Sequence, residues 1–306
     1  MIALSRCDMK FDDAPPLVIW ETNQACDLAC ANCRSSAAPR RHSSELTTEE
    51  GIRLLEQIRM FGNPLMVFTG GDPLKRPDLF TLIRKSVALG LRTDVKASAT
   101  PLLNRRAIEQ FKEAGVDRIA IGLDGWDAAS HDEFRGTLGS FDCAMSALEA
   151  AREIGLDTQV QTTVTAVNRY RLDEIAGVVE RVHARAWSLA LAGDEFQKVF
   201  EDIYEISRWA SFDIKTGDAR YRRFLTRMGE DSEPAGGFVY ISQTGEIHPS
   251  GFLPVSAGNV RDDSIVEVYR NSSLFSILRG REAAVGLAAE CHEAKYAEVR
   301  GLALML

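Results

Sequence analysis

Apolar residues along this chain recur in two alternating patterns. Short runs rich in β-branched and aromatic residues, PPLVIWET (15–22) and PLMVFTGGDP (64–73), predict strands. Longer stretches repeat at helical spacing. In ELTTEEGIRLLEQIRMFGN (45–63), Thr47 and Glu50 are placed as a capping box ahead of Ile52, Leu55 and Ile58. RPDLFTLIRKSVALG (76–90) predicts a second helix closed by Gly90, and LRTDVKASAT (91–100) a third strand. Asn104 is placed to cap the helix RRAIEQFKEAG (105–115).

The alternation continues through a strand at DRIAIGLDG (117–125) and a helix from a Ser140 cap, SFDCAMSALEAAREIG. A fifth strand at DTQVQTTVT (157–165), the helix LDEIAGVVERVHA, a sixth strand at AWSLALAG and the helix DEFQKVFEDIYEISRWA follow. Strand–helix alternation predicts parallel strands joined by crossovers, hence an α/β fold. Six units suit a partial (β/α)6 TIM-like barrel better than a flat sheet. In both folds the loops after the strand C-termini form the functional face. From about Pro234 the rhythm changes. GGFVYISQTGEIHPSGFLP predicts a hairpin around Thr244–Gly245, and SIVEVYRNSSLFSILRG a helix. The expected division is a barrel over 14–233 and a small α+β appendage over 234–306.

Composition narrows the function only a little. A net charge of -8 argues against a nucleic-acid surface, which needs clustered Lys and Arg. No apolar run approaches a membrane span, and the first residues lack a signal-peptide pattern. Six cysteines, three of them clustered, do not form a secreted disulfide framework, so a reducing cytoplasm is the expected location.

That cluster is the candidate chemistry. CDLACANC places Cys26, Cys30 and Cys33 directly after the first strand. Three thiolates at this spacing hold either a [4Fe–4S] cluster or part of a zinc site. Zinc wants a fourth nearby ligand, and the nearest histidine, His42, has no paired ligand beside it. Three ligands on a four-iron cluster leave one iron open to a small molecule.

CDLACANC resembles the Cx3Cx2C signature of radical S-adenosylmethionine (SAM) enzymes, and Gly70, Gly71, Asp72 and Pro73 resemble their glycine-rich SAM motif. WETNQACDLACANCR, TGGDPLKRPDLF, LDGWDAASHDEFRGTLGSFD and VQTTVTAVN are similar to the subgroup of haem-pathway enzymes, the iron-coproporphyrin decarboxylases and haem d1 maturases. GEIHPSGFLPVSAGNV resembles the start of the SPASM extension of peptide-modifying relatives. The resemblance implies one [4Fe–4S] cluster, SAM, an electron donor such as flavodoxin or ferredoxin, and a tetrapyrrole or peptide substrate. One electron entering the cluster would cleave SAM to methionine and a 5′-deoxyadenosyl radical, which takes a hydrogen atom from carbon.

Several residues then carry two readings. Asp72 either contacts SAM or caps the turn after strand two. Arg135 either pairs with the SAM carboxylate or forms a surface ion pair with Asp132 or Glu133. Ser98 and Thr163 present hydroxyls near strand ends at the barrel mouth, and Asn168 either binds SAM or caps the next helix. His131 and Cys143 are expected to be structural, and Arg34, Arg40 and Arg41 a solvated loop. The chain also departs from the family pattern. Asn32 replaces an aromatic or histidine, Gly122 replaces the serine of a common SLDG, and ECHEAKYAEVRG keeps Cys291 without the further cysteines of an auxiliary cluster. Those departures motivate an alternative, a non-enzymatic or degenerate metal-binding barrel holding zinc or iron–sulfur.

Overall fold

The structure, a computed structural model, describes residues 13–30, 33, 38–192, 196–228, 238–249 and 255–276. The chain opens with β1 (Leu17–Glu21), α1 (Thr48–Arg59), β2 (Leu65–Thr69), a short 3₁₀ turn (Pro73–Lys75) and α2 (Leu79–Ala88). It continues with β3 (Arg92–Ala97), α3 (Arg105–Glu113), β4 (Arg118–Gly122), α4 (Ala128–Arg135), α5 (Ser140–Glu153) and β5 (Asp157–Val164). Then come α6 (Leu172–Arg181), β6 (Ala186–Leu191), α7 (Gln197–Ser207), β7 (Asp213–Lys215) and α8 (Ala219–Arg227). β8 (Phe238–Ile241), β9 (Ile247–His248) and α9 (Ile265–Asn271) close the described chain.

Among the described residues, nine strands share one sheet in the order β7-β6-β5-β4-β3-β2-β1-β8-β9, parallel except for the β8–β9 hairpin. The six expected parallel strands are present, and β7 extends them by pairing with β6. β8 lies in parallel register beside β1, Leu17 opposite Phe238 and Trp20 opposite Ile241.

Strand alternation explains the layering. Val18, Trp20, Met66, Phe68, Val95, Ile119, Ile121 and Val160 share one face and form the core with the apolar stripes of the helices. Leu54 and Ile58 of α1, Leu82 of α2, Phe111 of α3, Leu148 of α5 and Val179 of α6 all belong to that core. The crossover helices therefore lie on one face, as in a barrel. The opposite face carries Glu21, Thr69, Asp94, Lys96, Arg118, Gln159, Gln161 and Ser188 in register, a polar lining. Asp94 ion-pairs with Arg118, and Gln159 donates to Ser188 at 2.8 Å. Core glycines follow from packing too: a Cβ on Gly51 of α1 would come within 2.5 Å of the Trp20 indole.

Local signals held where the sequence carried them. Thr47 and Glu50 form their capping box, Asn104 caps α3, and Gly90 ends α2 at φ +77. Ser140 does not cap α5. Gly139 occupies the cap position, and the acceptor comes from outside the helix. The Asp132 carboxylate receives the backbone N–H groups of Gly139 (2.6 Å) and Phe141 (2.8 Å) and the Ser140 hydroxyl (2.8 Å).

Residues 238–249 and 255–276 are stitched to the first strand–helix unit. The Leu46 amide donates to the Gln243 carbonyl at 2.9 Å, and the Gln57 side chain accepts from the Ile265 amide at 3.0 Å. Arg261 pairs with Glu50 at 2.7 Å, and Phe61 meets Tyr269 edge to face.

Candidate active site

The cysteine loop and the glycine turn are fastened to one another by backbone geometry. Past the end of β1, Thr22 donates to the Thr69 carbonyl, Gly71 N–H to Asn23 O at 2.8 Å, and Asp72 N–H to Ala25 O at 2.6 Å. The Asn23 amide reaches the Asp72 carbonyl at 2.9 Å. Neither glycine tolerates a side chain: a Cβ on Gly70 would lie 2.7 Å from Asn23 Oδ1, and one on Gly71 2.5 Å from Gln24 O. Buried Arg76 stacks on Trp20 and donates to the Thr22 and Leu46 carbonyls, both at 2.9 Å, holding the exit of β1. Lys75 pairs with Asp27 across the two loops.

Above this base opens a cavity of about 1160 Å³, part of it open to solvent, at the C-terminal ends of β2 to β6. Cys26, Cys30 and Cys33 line it together with Gly70, Gly71, Ser98, Gly122, Arg135 and Thr163. Ser98 donates to the Gly71 carbonyl at 2.6 Å and sits 3.8 Å from Cys26 Sγ. Burial pushes the Cys26 thiol above its ordinary range, opposed by the bond it accepts from Leu28 N–H and by its contact with the Ser98 hydroxyl.

Three expected residues lie outside the lining. Asp72 is fully buried behind the turn, accepting from Leu74 N–H at 3.1 Å and Thr100 Oγ at 2.7 Å, the capping reading. Burial holds its carboxyl above the usual range against the Thr100 bond. Pro73 is buried in the 3₁₀ turn. Asn168 is buried with its amide spent on the Asp124 and Thr163 carbonyls, both at 2.9 Å, and on Thr165 N–H at 2.8 Å. Asn32, Arg34, Cys7, Cys291 and residues 193–195 after β6 lie outside the described residues.

Sequence reading missed the residue that organises the wall. Asp124, 2% exposed, uses every group it has. Its amide donates to His131 Nδ1 at 3.1 Å, and Oδ1 accepts from Thr163 N–H at 2.7 Å. Oδ2 ion-pairs with Arg135 Nη2 at 2.5 Å. Arg135 thus pairs with Asp124, not with Asp132 or Glu133. Burial acts to lower its pKa, but the Asp124 carboxylate and Cys30 outweigh that and raise it. His131 is buried and neutral, its pKa pushed down to about 3 by burial and then by Arg135. A lone Asp in an LDG tripeptide carried no spacing signal. Lys96, Gln161 and Ser188 also line the cavity and belonged to apolar-looking strands.

Among the described residues, the donor set is three thiols and no histidine in one lining, and thiolates are the ligands an iron–sulfur cluster takes, each on a different iron.

A one-sided parallel barrel with three thiols and a glycine turn at its strand C-termini defines a cluster-dependent enzyme class. Residues 20–182 match the model of the Radical SAM superfamily, and the chain belongs to that superfamily. Its members use a [4Fe–4S] cluster and SAM, and the chain is an enzyme of this kind. It is 33% identical over 309 residues to the AdoMet-dependent heme synthase of Oleidesulfovibrio alaskensis, covering 90% of this chain and 79% of that protein. Mycofactocin maturase MftC of Mycolicibacterium smegmatis is 29% identical over 303 residues, covering 91% and 76%. Streptococcus suis SuiB bound to S-adenosylmethionine shares the partial barrel, with a TM-score of 0.71 at 16% identity over 87% of this chain and 68% of that one. The expected likeness to both haem-pathway enzymes and peptide maturases is thereby found. No helix among the described residues is long and apolar enough to cross a membrane.

Proposed function

We propose that the chain cleaves SAM reductively at one cluster held by Cys26, Cys30 and Cys33, and acts on a carboxylate-bearing side chain of an iron tetrapyrrole. The observation that carries this is the convergence of the three thiols and Gly70–Gly71 on one cavity. Bound there, cluster and SAM supply a radical able to take hydrogen from an unactivated C–H bond. The protein's part is positional. Gly70 and Gly71 let their turn close against the Asn23–Ala25 backbone, which holds it beside the thiols. Ser98 and Thr163 offer hydroxyls beside the thiols, and Leu28 and Phe134 restrict water.

Two features favour a tetrapyrrole over a peptide. Lys96 is a cation in the cavity's lining, which contains no acidic residue among the described residues, and this suits a carboxylate. The relative named AdoMet-dependent heme synthase also matches at higher identity than the peptide maturase. A reduced flavodoxin or ferredoxin in the cytoplasm is the proposed electron source. Residues 14–233 form the barrel in this reading, and 234–306 an extension without a second cluster.

Anaerobic reconstitution tests each layer. The protein should take up about four irons per chain and make 5′-deoxyadenosine from SAM with a reductant. With a one-electron acceptor present to take the electron the substrate radical releases, iron coproporphyrin III should then lose carboxyl carbon as carbon dioxide, read by mass spectrometry. Deoxyadenosine without a changed tetrapyrrole overturns the substrate, and zinc without iron overturns the whole reading.

A further inference from the structure

Gly122 ends β4 without a side chain, and the structure shows what fills the space. A Cβ built on Gly122 would lie 1.9 Å from Arg135 Nη2 and 2.9 Å from its Cζ. The guanidinium therefore rests against the bare end of β4. Asp124 fixes it from one side at 2.5 Å, and Nη1 points to Cys30 Sγ at 3.7 Å. The same helix end is docked on the cysteine loop. Ala29 N–H donates to the Arg135 carbonyl at 3.2 Å, and Gly136, at φ +59, leaves no room for a Cβ, which would meet Ala29 O at 2.5 Å.

We propose that Arg135 is a positioning residue for the cluster, donating an N–H···S bond to the Cys30 thiolate from the space that Gly122 vacates, and so raising the cluster's reduction potential. The inference rests on the proposed cluster at Cys26, Cys30 and Cys33. Its physical basis is general: a reduced cluster carries one more negative charge, and donors to a ligand sulfur stabilise that form. Asp124 keeps the guanidinium in place and offsets its net charge, so the directed bond to sulfur carries the effect. Both ends of the fork are engaged by protein groups, which sets this role apart from a bidentate clamp on the SAM carboxylate.

Redox titration followed by electron paramagnetic resonance, on the reconstituted full chain without SAM, tests the assignment. Arg135→Gln shortens the side chain by two atoms and withdraws the donor from Cys30 Sγ. Gly122→Ala leaves Arg135 and all three cysteines intact but displaces the flexible tip of the guanidinium. Both variants should shift the potential in the negative direction with iron content unchanged. An unchanged potential in both, with weakened SAM binding in a separate titration, overturns the proposal and assigns Arg135 to SAM. Should Arg135→Gln fail to hold iron, Gly122→Ala decides alone by the direction of its shift. Failure of the parent protein to bind iron and sulfide would instead sink the cluster reading itself.

Discussion

At the scale of single residues, the site is built from groups whose freedom has been removed. Gly70 and Gly71 are legible in sequence because two glycines after a strand have one common explanation, close backbone approach. Their partners, the Asn23 and Gln24 backbone, are legible only once β1 and β2 are known to be adjacent. His131 shows the reverse. It reads as structural from sequence, and its burial gives it a measurable consequence. The ring is enclosed by Phe141, the Asp124 amide, Arg135 and Asp132, and its pKa lies near about 3 against an ordinary 6.5. An imidazole depressed on folding binds its proton only in the unfolded chain between those values. Its contribution is neutral above pH 6.5, and stability is lost as pH falls, by about 1.4 kcal/mol per unit. Urea unfolding of the apoprotein should therefore lose about 2 kcal/mol between pH 6.5 and 5 from this group. His131→Gln should remove that slope; an unaltered slope would place the acid sensitivity elsewhere.

At the scale of elements, α4 and α5 form a pair that sequence periodicity could not join. Asp132, on α4, accepts three bonds from the first turn of α5, where no side chain of α5 itself serves. A helix start so satisfied should lose about 1–3 kcal/mol when the acceptor is deleted. Asp132→Ala should lower the urea midpoint accordingly, and Asp132→Asn, which keeps one oxygen, should lower it less. An unchanged midpoint in Asp132→Ala would show that water replaces the carboxylate. The same contrast explains what was legible. Strands β1 to β6 announced themselves through runs of β-branched or apolar positions between turn signals. Three-residue β7 offered only one apolar residue, Ile214, between charges, and its strand identity comes from pairing with β6. Short α4 was hidden because its Asp127–Ser130 capping box precedes few apolar residues. Loop-borne Asp72 and Asn168 were ambiguous for a related reason: both types serve equally as caps and as ligands, and only burial with every polar group spent distinguishes them.

At the scale of the whole molecule, the sheet does not end where the βα rhythm does. The hairpin near Thr244–Gly245 was visible in the sequence, but nothing local says that β8 returns to lie beside β1, a pairing between residues far apart in the chain. That return is secured by a buried contact on the lining face. Tyr240 of β8 donates its hydroxyl to Glu21 Oε2, and both residues are about 5% exposed or less. Glu21 Oε1 finds no hydrogen-bond donor among the described residues. Glu21 is also the last residue of β1, directly before the segment that leads to Cys26. Removing the hydroxyl leaves a second carboxylate oxygen unsatisfied, at a cost of about 1–3 kcal/mol. Tyr240→Phe should lower the unfolding free energy by that amount in a single transition seen by tryptophan fluorescence, because Trp20 packs within the β1 layer that β8 extends. Glu21→Gln added to Tyr240→Phe should recover part of the loss, since a neutral amide is cheaper to bury than a carboxylate. Two separate transitions, with the tryptophan signal untouched by Tyr240→Phe, would mean that the hairpin folds independently of the sheet it joins.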